Sequence, residues 1–400
     1  MKILMVNKFL YLNGGSETYI FKLGEELLRR GHEVQYFGME HAGRIAGNHA
    51  QRYTAGMDFH TGKLQKLFYP FKIVYSHEAK RKMGEVLRDM APDVVHLNNI
   101  NFQLTPSVIY AVRSYERRTG RKVKLVYTAH DYQWVCPNHM MRVPETGEIC
   151  FACRDGHFAA CTKKRCIHNS RVRSLLGTIE ATFYHTLRTY RLVDVIVCPS
   201  MFMKKQLDSD PYLAQKTVFL QNFIMTGRKR QGKASGDYVL YFGRFSEEKG
   251  IRTLLAACKA LPEIPFVFAG AGPLEGEVSK VKNVENKGFV KGEALERLVA
   301  NARFVVYPSE WYENCPFSVM EAQTLGTPVL VSDLGGAPEL VEAGRTGELF
   351  RGGDEEELTE HIRELWEDPE RCLKYRENCK NIKFDTIGEY CDKIVRKVYQ

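Results

Sequence analysis

The 400-residue sequence contains no run of 18 or more apolar residues, the length that a membrane-crossing helix needs. No secretory leader is expected either. Met1 to Asn7 is a short apolar run with one lysine, and it leads straight into a glycine-containing loop, without the three-part build of a signal peptide. The expectation is a chain that begins as a folded strand and works in the cytoplasm. No zinc-finger, helix-turn-helix or RNP signature occurs, so nucleic acid is not an expected partner. There is no low-complexity segment and no short repeat. A disulfide framework is also excluded, since 11 cysteines, an odd number without a secretion signal, read as thiols or metal ligands.

What is present is the material of a soluble two-domain protein. Hydrophobic residues make up 44% and charged residues 26%, enough apolar matter for two cores. The formal charge of +9 suits a polyanion such as nucleotide phosphates or a phospholipid surface. The two halves echo each other. KILMVNKFLYLNGG near the start and YVLYFGRFSEEKG at 238–250 each give a strand, then a loop, then a helix. Further strands follow in both halves: HEVQYFG, DVVHLN, KLVYTAH and VIVCPS in the first, PFVFAG, NVENKGF, FVVYPS and TPVLVS in the second. Short strands alternating with helices imply doubly wound parallel sheets. The basic, glycine-containing stretch GRKRQGKASGD reads as a linker. The expected division is 1–222, a linker over 223–236, 237–382, and a terminal helix over 383–400 that packs back on the first domain.

Residues 60–90 mix lysine and arginine with Leu, Phe, Tyr and Ile. Two surface helices are one reading. The other is a segment lying on an anionic membrane, with charge from Lys63, Lys66, Lys72, Lys80, Arg81 and Lys82 and apolar surface from Leu67, Phe68, Tyr69 and Phe71.

Chemistry concentrates at EWYENCPFSVMEAQTLGTPVLVS. Glu313 and Glu321 stand eight positions apart, around a turn at Asn314, Cys315 and Pro316. A helix is expected from Phe317 and Ser318 onward, ending near Gly326. Unpaired backbone N–H groups at such a helix start favour an anion such as a diphosphate. Glu321 suits ribose hydroxyls and Glu313 a hexose. The position after the strand FVVYPS matters, because ligands of such sheets bind at the carboxyl ends of strands.

The run SEWYENCPFSVMEAQTLGTPVLVSDLGGAPELV resembles the signature of the retaining GT-B glycosyltransferases of family four. GRFSEEKG and NKFLYLNGGSE resemble two more motifs of that family, in the same order. The resemblance covers nearly the whole chain. It implies two Rossmann-like domains facing across a cleft, and transfer of a sugar from a UDP- or GDP-linked donor with retention of configuration. The acceptor would be a saccharide or lipid-linked saccharide, as in envelope polysaccharide assembly at the inner face of the plasma membrane. Two rivals are an enzyme that epimerises or hydrolyses UDP-N-acetylglucosamine, and a non-catalytic partner subunit.

By the same resemblance Arg244 and Lys249 bind the donor diphosphate, which agrees with the need for fixed cations where charge builds on a leaving phosphate. Gly14 and Gly15, on the loop after the first strand, would offer backbone N–H groups to it. G-x-G-x-x-G is absent from this loop, which argues against a nicotinamide dinucleotide. His130, at the end of KLVYTAH, is expected near the transferred sugar, and His96, in DVVHLNN, near the acceptor. Gly270, Gly272, Gly335, Gly336 and Glu339 are supporting loop residues. No D-x-D lies near these residues, so no divalent cation or other cofactor is expected for transfer. A structural zinc is expected on Cys150, Cys153, Cys161 and Cys166, spaced C-x2-C and C-x4-C. Cys136, His157 and His168 are possible replacements, and free thiols or an iron–sulfur site are the competing readings.

Overall fold

The computed structural model describes residues 1–56, 69–224 and 236–400. The chain divides into two compact units. The first is Met1–Gln221 together with Ile387–Gln400, and the second is Asn222–Thr386. Most of the linker read at 223–236, and Lys63, Lys66, Leu67 and Phe68, lie outside the described residues.

The first unit is built on six parallel strands: β1 (Lys2–Val6), β2 (Glu33–Phe37), β3 (Val94–Leu97), β4 (Lys124–Thr128), β5 (Val195–Cys198) and β6 (Thr217–Phe219). Their order is β2-β1-β3-β4-β5-β6. The second unit has β7 (Val239–Phe242), β8 (Phe266–Ala269), β9 (Val284–Asn286), β10 (Phe304–Tyr307), β11 (Val329–Ser332) and β12 (Gly347–Phe350), in the order β12-β11-β10-β7-β8-β9. The short runs VLYF, FVFA, FVVY and VLVS are buried along their whole length, as expected where helices cover both faces of a parallel sheet. In each unit the first strand lies inside the sheet, so the chain reverses its winding beside it. That reversal opens a crevice at the carboxyl ends of the strands, between β7 and β10 in the second unit.

Helices end where the sequence supplies glycine. Gly15–Arg29 is followed by Gly31 at φ +81°, and Phe317–Thr324 by Gly326 at φ +79°. Both are left-handed conformations that a side chain resists. The division at 221/222 differs by a residue from the expected one because Asn222 and Ile224 are held by the second unit. Asn222 Nδ2 donates to Cys315 O at 3.1 Å, and Ile224 N to Asp385 O at 2.8 Å. The final helix, Ile387–Ile394, belongs to the first unit. Tyr390 Oη and Tyr19 Oη share a buried 2.7 Å hydrogen bond. Among the described residues, no helix is long and apolar enough to cross a membrane.

Candidate active site

In the second unit four loops leave the same edge of the sheet, after β7, β8, β10 and β11. Glycines let them come close. A Cβ on Gly250 (φ +69°) would fall 1.8 Å from Pro308 O, and one on Gly270 1.8 Å from Gly243 O. These contacts tie the β7 loop, which carries Arg244 and Lys249, to its neighbours.

The centre of this edge is a buried ion pair. Lys249 Nζ lies 2.5 Å from Glu313 Oε1. The same oxygen accepts from Ser309 Oγ at 2.7 Å and Trp311 Nε1 at 2.6 Å. Lys249 also sits over the rings of Trp311 and Tyr307, 5.3 and 5.7 Å from their centroids. Glu313 is only 6% exposed. Burial pushes its carboxyl up, but the Lys249 charge and the hydrogen bonds from Lys249, Ser309 and Trp311 together hold it below the usual carboxylate range. Gly335 (φ +70°) and Gly336 fold the β11 loop onto Glu313, whose carbonyl accepts from Gly336 N at 2.6 Å. Glu313 is therefore an ionised group of fixed orientation.

Two cation-related features remain available beside it. Arg244 is exposed, and among the described residues no carboxylate pairs with it. The helix Phe317–Thr324 begins after Pro316 with no side-chain cap, so its first-turn N–H groups lack partners within the helix. The carboxyl of Glu321, half-buried on that helix, has no hydrogen-bond partner among the described residues. Burial and the Glu296 charge push it up to about 7.

In the first unit His130 follows β4. Its Nε2 lies 2.8 Å from Asn98 Oδ1. Asn98 spends its Nδ2 on His96 O at 3.2 Å and Val6 O at 3.4 Å, so its oxygen faces the ring. Nε2 then carries the proton and Nδ1 is left as an acceptor. Burial lowers His130 to about 4, with Asp131 opposing, which makes it a neutral hydrogen-bonding group at physiological pH.

Residues 13–228 match the family described as Glycosyltransferase Family 4, more than half of the chain. Residues 226–382 match Glycosyl transferases group 1. The chain belongs to the glycosyltransferases. Among curated relatives, Alpha-D-kanosaminyltransferase of Streptomyces kanamyceticus is 29% identical over 162 residues, 38% of this chain and 42% of that protein. The chain thus spans less than half the length of that relative. The phosphatidylinositol N-acetylglucosaminyltransferase gpi3 subunit of Schizosaccharomyces pombe is 22% identical over 386 residues, 90% of this chain and 71% of that protein. Among solved structures, HepE of Anabaena in complex with UDP superposes with a TM-score of 0.65 at 17% identity, covering 99% of each chain. The glycosyltransferase has the GT-B fold of two Rossmann-like units.

The structure of this glycosyltransferase brings Arg244, Lys249, Glu313, Asn314, Pro316, Phe317, Ser318 and Glu321 to one sheet edge of the second unit. It corrects the expectation for two residues. His96 does not hold an acceptor. It is 0% exposed, with Nδ1 2.7 Å from Tyr399 Oη and Nε2 2.7 Å from Thr128 Oγ1. Cys315 offers no side chain to a donor, because its thiol is packed in the core against Met320. Gly14 and Gly15 are exposed at a helix start, but Glu17 already places a buried carboxylate in that first turn, held by Asn7 at 2.9 Å and Ser16 at 3.0 Å. The structure also adds residues that the sequence reading missed. Ser309 and Trp311 stand four and two positions before Glu313, the spacing that puts side chains on one face of an extended segment. Asn98, which fixes the His130 tautomer, had no comparable signal. A concavity of about 850 Å³ lies elsewhere in the first unit, and Arg52 and Arg81 on its wall both pair with Glu85.

Proposed function

We propose that this chain is a retaining glycosyltransferase that moves a hexosyl group from a UDP- or GDP-linked donor to a hydroxyl of a saccharide or lipid-linked acceptor. The observation that carries the reading is the Lys249–Glu313 pair at the sheet switch point, with Arg244 unpaired beside it. Glu313 already neutralises Lys249, so the added attraction for a diphosphate comes from Arg244 and the uncapped helix start at Phe317. As the sugar–phosphate bond lengthens, negative charge grows on the leaving diphosphate, and these groups need no reorganisation to meet it. Glu321 accepts from ribose hydroxyls. Glu313 accepts from a hydroxyl of the sugar. HepE, solved with UDP, supports a nucleotide at this fold. Titration calorimetry against UDP- and GDP-sugars, followed by NMR of the product's anomeric centre, tests the reading. A product of inverted configuration, or absence of binding by any nucleotide-sugar, overturns it.

A lipid-linked acceptor calls for a membrane-facing surface. Within 63–82 two of the described cations are compensated: Arg81 pairs with Glu85 at 2.7 Å and Lys82 with Glu78 at 2.8 Å. A better surface is the outer face of the helix Arg171–Thr186. Val172, Leu175, Ile179, Phe183 and, just beyond it, Leu187 form an exposed apolar stripe. Exposed Lys163, Arg165, Arg171, Arg173 and Arg188 flank it. Apolar side chains at helical spacing bordered by cations fit an anionic bilayer.

A further inference from the structure

The segment from Cys136 to Ser170 has little regular structure, a single 3-10 turn at Arg154–Gly156 and the short helix Ala159–Lys163. A connection of this length is costly to order without an internal tie. Its sulfur atoms gather all the same. Cys153, Cys161 and Cys166 share one small cluster with Phe158 and Ala181. Cys136 is within hydrogen-bond reach of Cys153, and Cys161 of Cys166.

Beside these pairs lies a small, partly open cavity of about 10 Å³. Cys136, Cys150, Cys153 and Cys166 line it, with Arg142 and Arg154 also on its wall. That volume is about one water-sized sphere, room for a single ion. Cys161 is not on the wall. Among the described residues no three His, Cys, Asp or Glu side chains already stand in ligating positions. Cysteine has one side-chain torsion, and a change of rotamer moves its sulfur by about 3 Å, enough to turn lining thiols into ligands.

We infer that Cys136, Cys150, Cys153 and Cys166 bind one structural zinc ion in this cavity, with Cys161 outside the ligand set. Each thiol gives up its proton on binding, so four thiolates and Zn²⁺ form a centre of net charge −2. The surroundings suit that charge. Arg142 and Arg154 line the cavity, and the Lys164 ammonium reaches the Cys150 thiol while also pairing with Glu148 at 3.2 Å. The loop is already tied to the helix Arg171–Thr186, whose Thr178 Oγ1 donates to Phe158 O at 3.0 Å. This replaces the ligand set expected from spacing alone, exchanging Cys161 for Cys136.

The test uses the full chain, purified under a phosphine reductant with no added metal. Elemental analysis should find about one zinc per chain. Exchange with Co²⁺ should give the absorption bands of a tetrahedral thiolate site. Cys136→Ser, Cys150→Ser and Cys166→Ser should each lower zinc content severalfold and lower Tm, while Cys161→Ser keeps both. Cys150 is half-exposed, so its variant stays informative if the more buried ones fail to fold. Protein without zinc, or with disulfides in place of thiols, overturns the proposal. So does loss of zinc in Cys161→Ser with retention in Cys136→Ser.

Discussion

Replacing Lys249 by methionine removes the cation and keeps most of the side-chain volume. Glu313 then stays buried with hydrogen bonds from Ser309 and Trp311 but no counter-charge. Breaking a buried pair by removing one partner costs about 3–5 kcal/mol. The Lys249 side chain keeps 22% of its exposure, and two neutral donors remain, so the lower end applies, about 3 kcal/mol. The sign of the pH dependence also changes. In the parent protein Glu313 is held below the ordinary carboxylate range, so its contribution is present above that range and is lost as pH falls through the lowered value. In Lys249→Met, burial raises the carboxyl instead, and its cost disappears as acid protonates it. Urea unfolding followed through Trp311 and Trp366, both in the second unit, should show a midpoint about 1–2 M lower at pH 7. The deficit should shrink toward pH 5. Lys249→Met/Glu313→Gln should regain about 2 kcal/mol of stability and still transfer no sugar. A deficit that does not depend on pH, or a double variant less stable than the single one, refutes this account of the pair.

Arg244→Ala should leave folding intact and slow transfer by about 10²–10³-fold, near 2.7–4 kcal/mol in the barrier; near-normal turnover in steady-state kinetics would count against the diphosphate role. Glu321 is raised to about 7, so its burial costs stability above the ordinary carboxylate range, and the cost is complete only above about 7. Donor affinity should therefore tighten as pH rises through 7, about tenfold at most, and Glu321→Gln should flatten that profile in calorimetry. His130, lowered to about 4, is neutral from pH 5 upward. His130→Ala should cut turnover about 10²-fold, and the parent's pH–rate curve should show no limb near 6.5. Leu175→Ser/Ile179→Ser should abolish flotation with anionic vesicles at low salt while soluble acceptors are still used; unchanged flotation would exclude this helix face.

Much of the fold was legible because periodicity and glycine carry it. Buried runs such as VLYF and FVVY announce a parallel sheet, and Gly31 and Gly326 mark helix ends through their backbone conformation. The loop edge that carries Arg244, Lys249, Glu313 and Glu321 was legible for a related reason: all four lie just after strands or within the helix that follows one. His96 shows where such reasoning stops. It lies within a strand, where pairing partners decide burial, and its partner Tyr399 comes from 303 positions away. The thiol loop is a second place where distant residues meet. Spacing names the cysteines near in sequence, but only folding shows that Cys136 lines the cavity and Cys161 does not.

The first unit is not a continuous stretch of chain. Its interior includes Tyr390, bonded to Tyr19, and Tyr399, bonded to His96. Arg30 reaches Gly388 O at 2.7 Å and pairs with Asp392. On a ribosome, Met1–Gln221 emerges first but lacks these partners until the final segment is made. The imidazole of His96 and the hydroxyl of Tyr19 would meanwhile face an unfilled groove, and unpaired buried polar groups are costly. The second unit, Asn222–Thr386, is contiguous and has its whole core before that segment appears. Although domains usually mature in the order of synthesis, here the half made later can finish first, and the half made earlier closes only when Ile387–Gln400 returns to it.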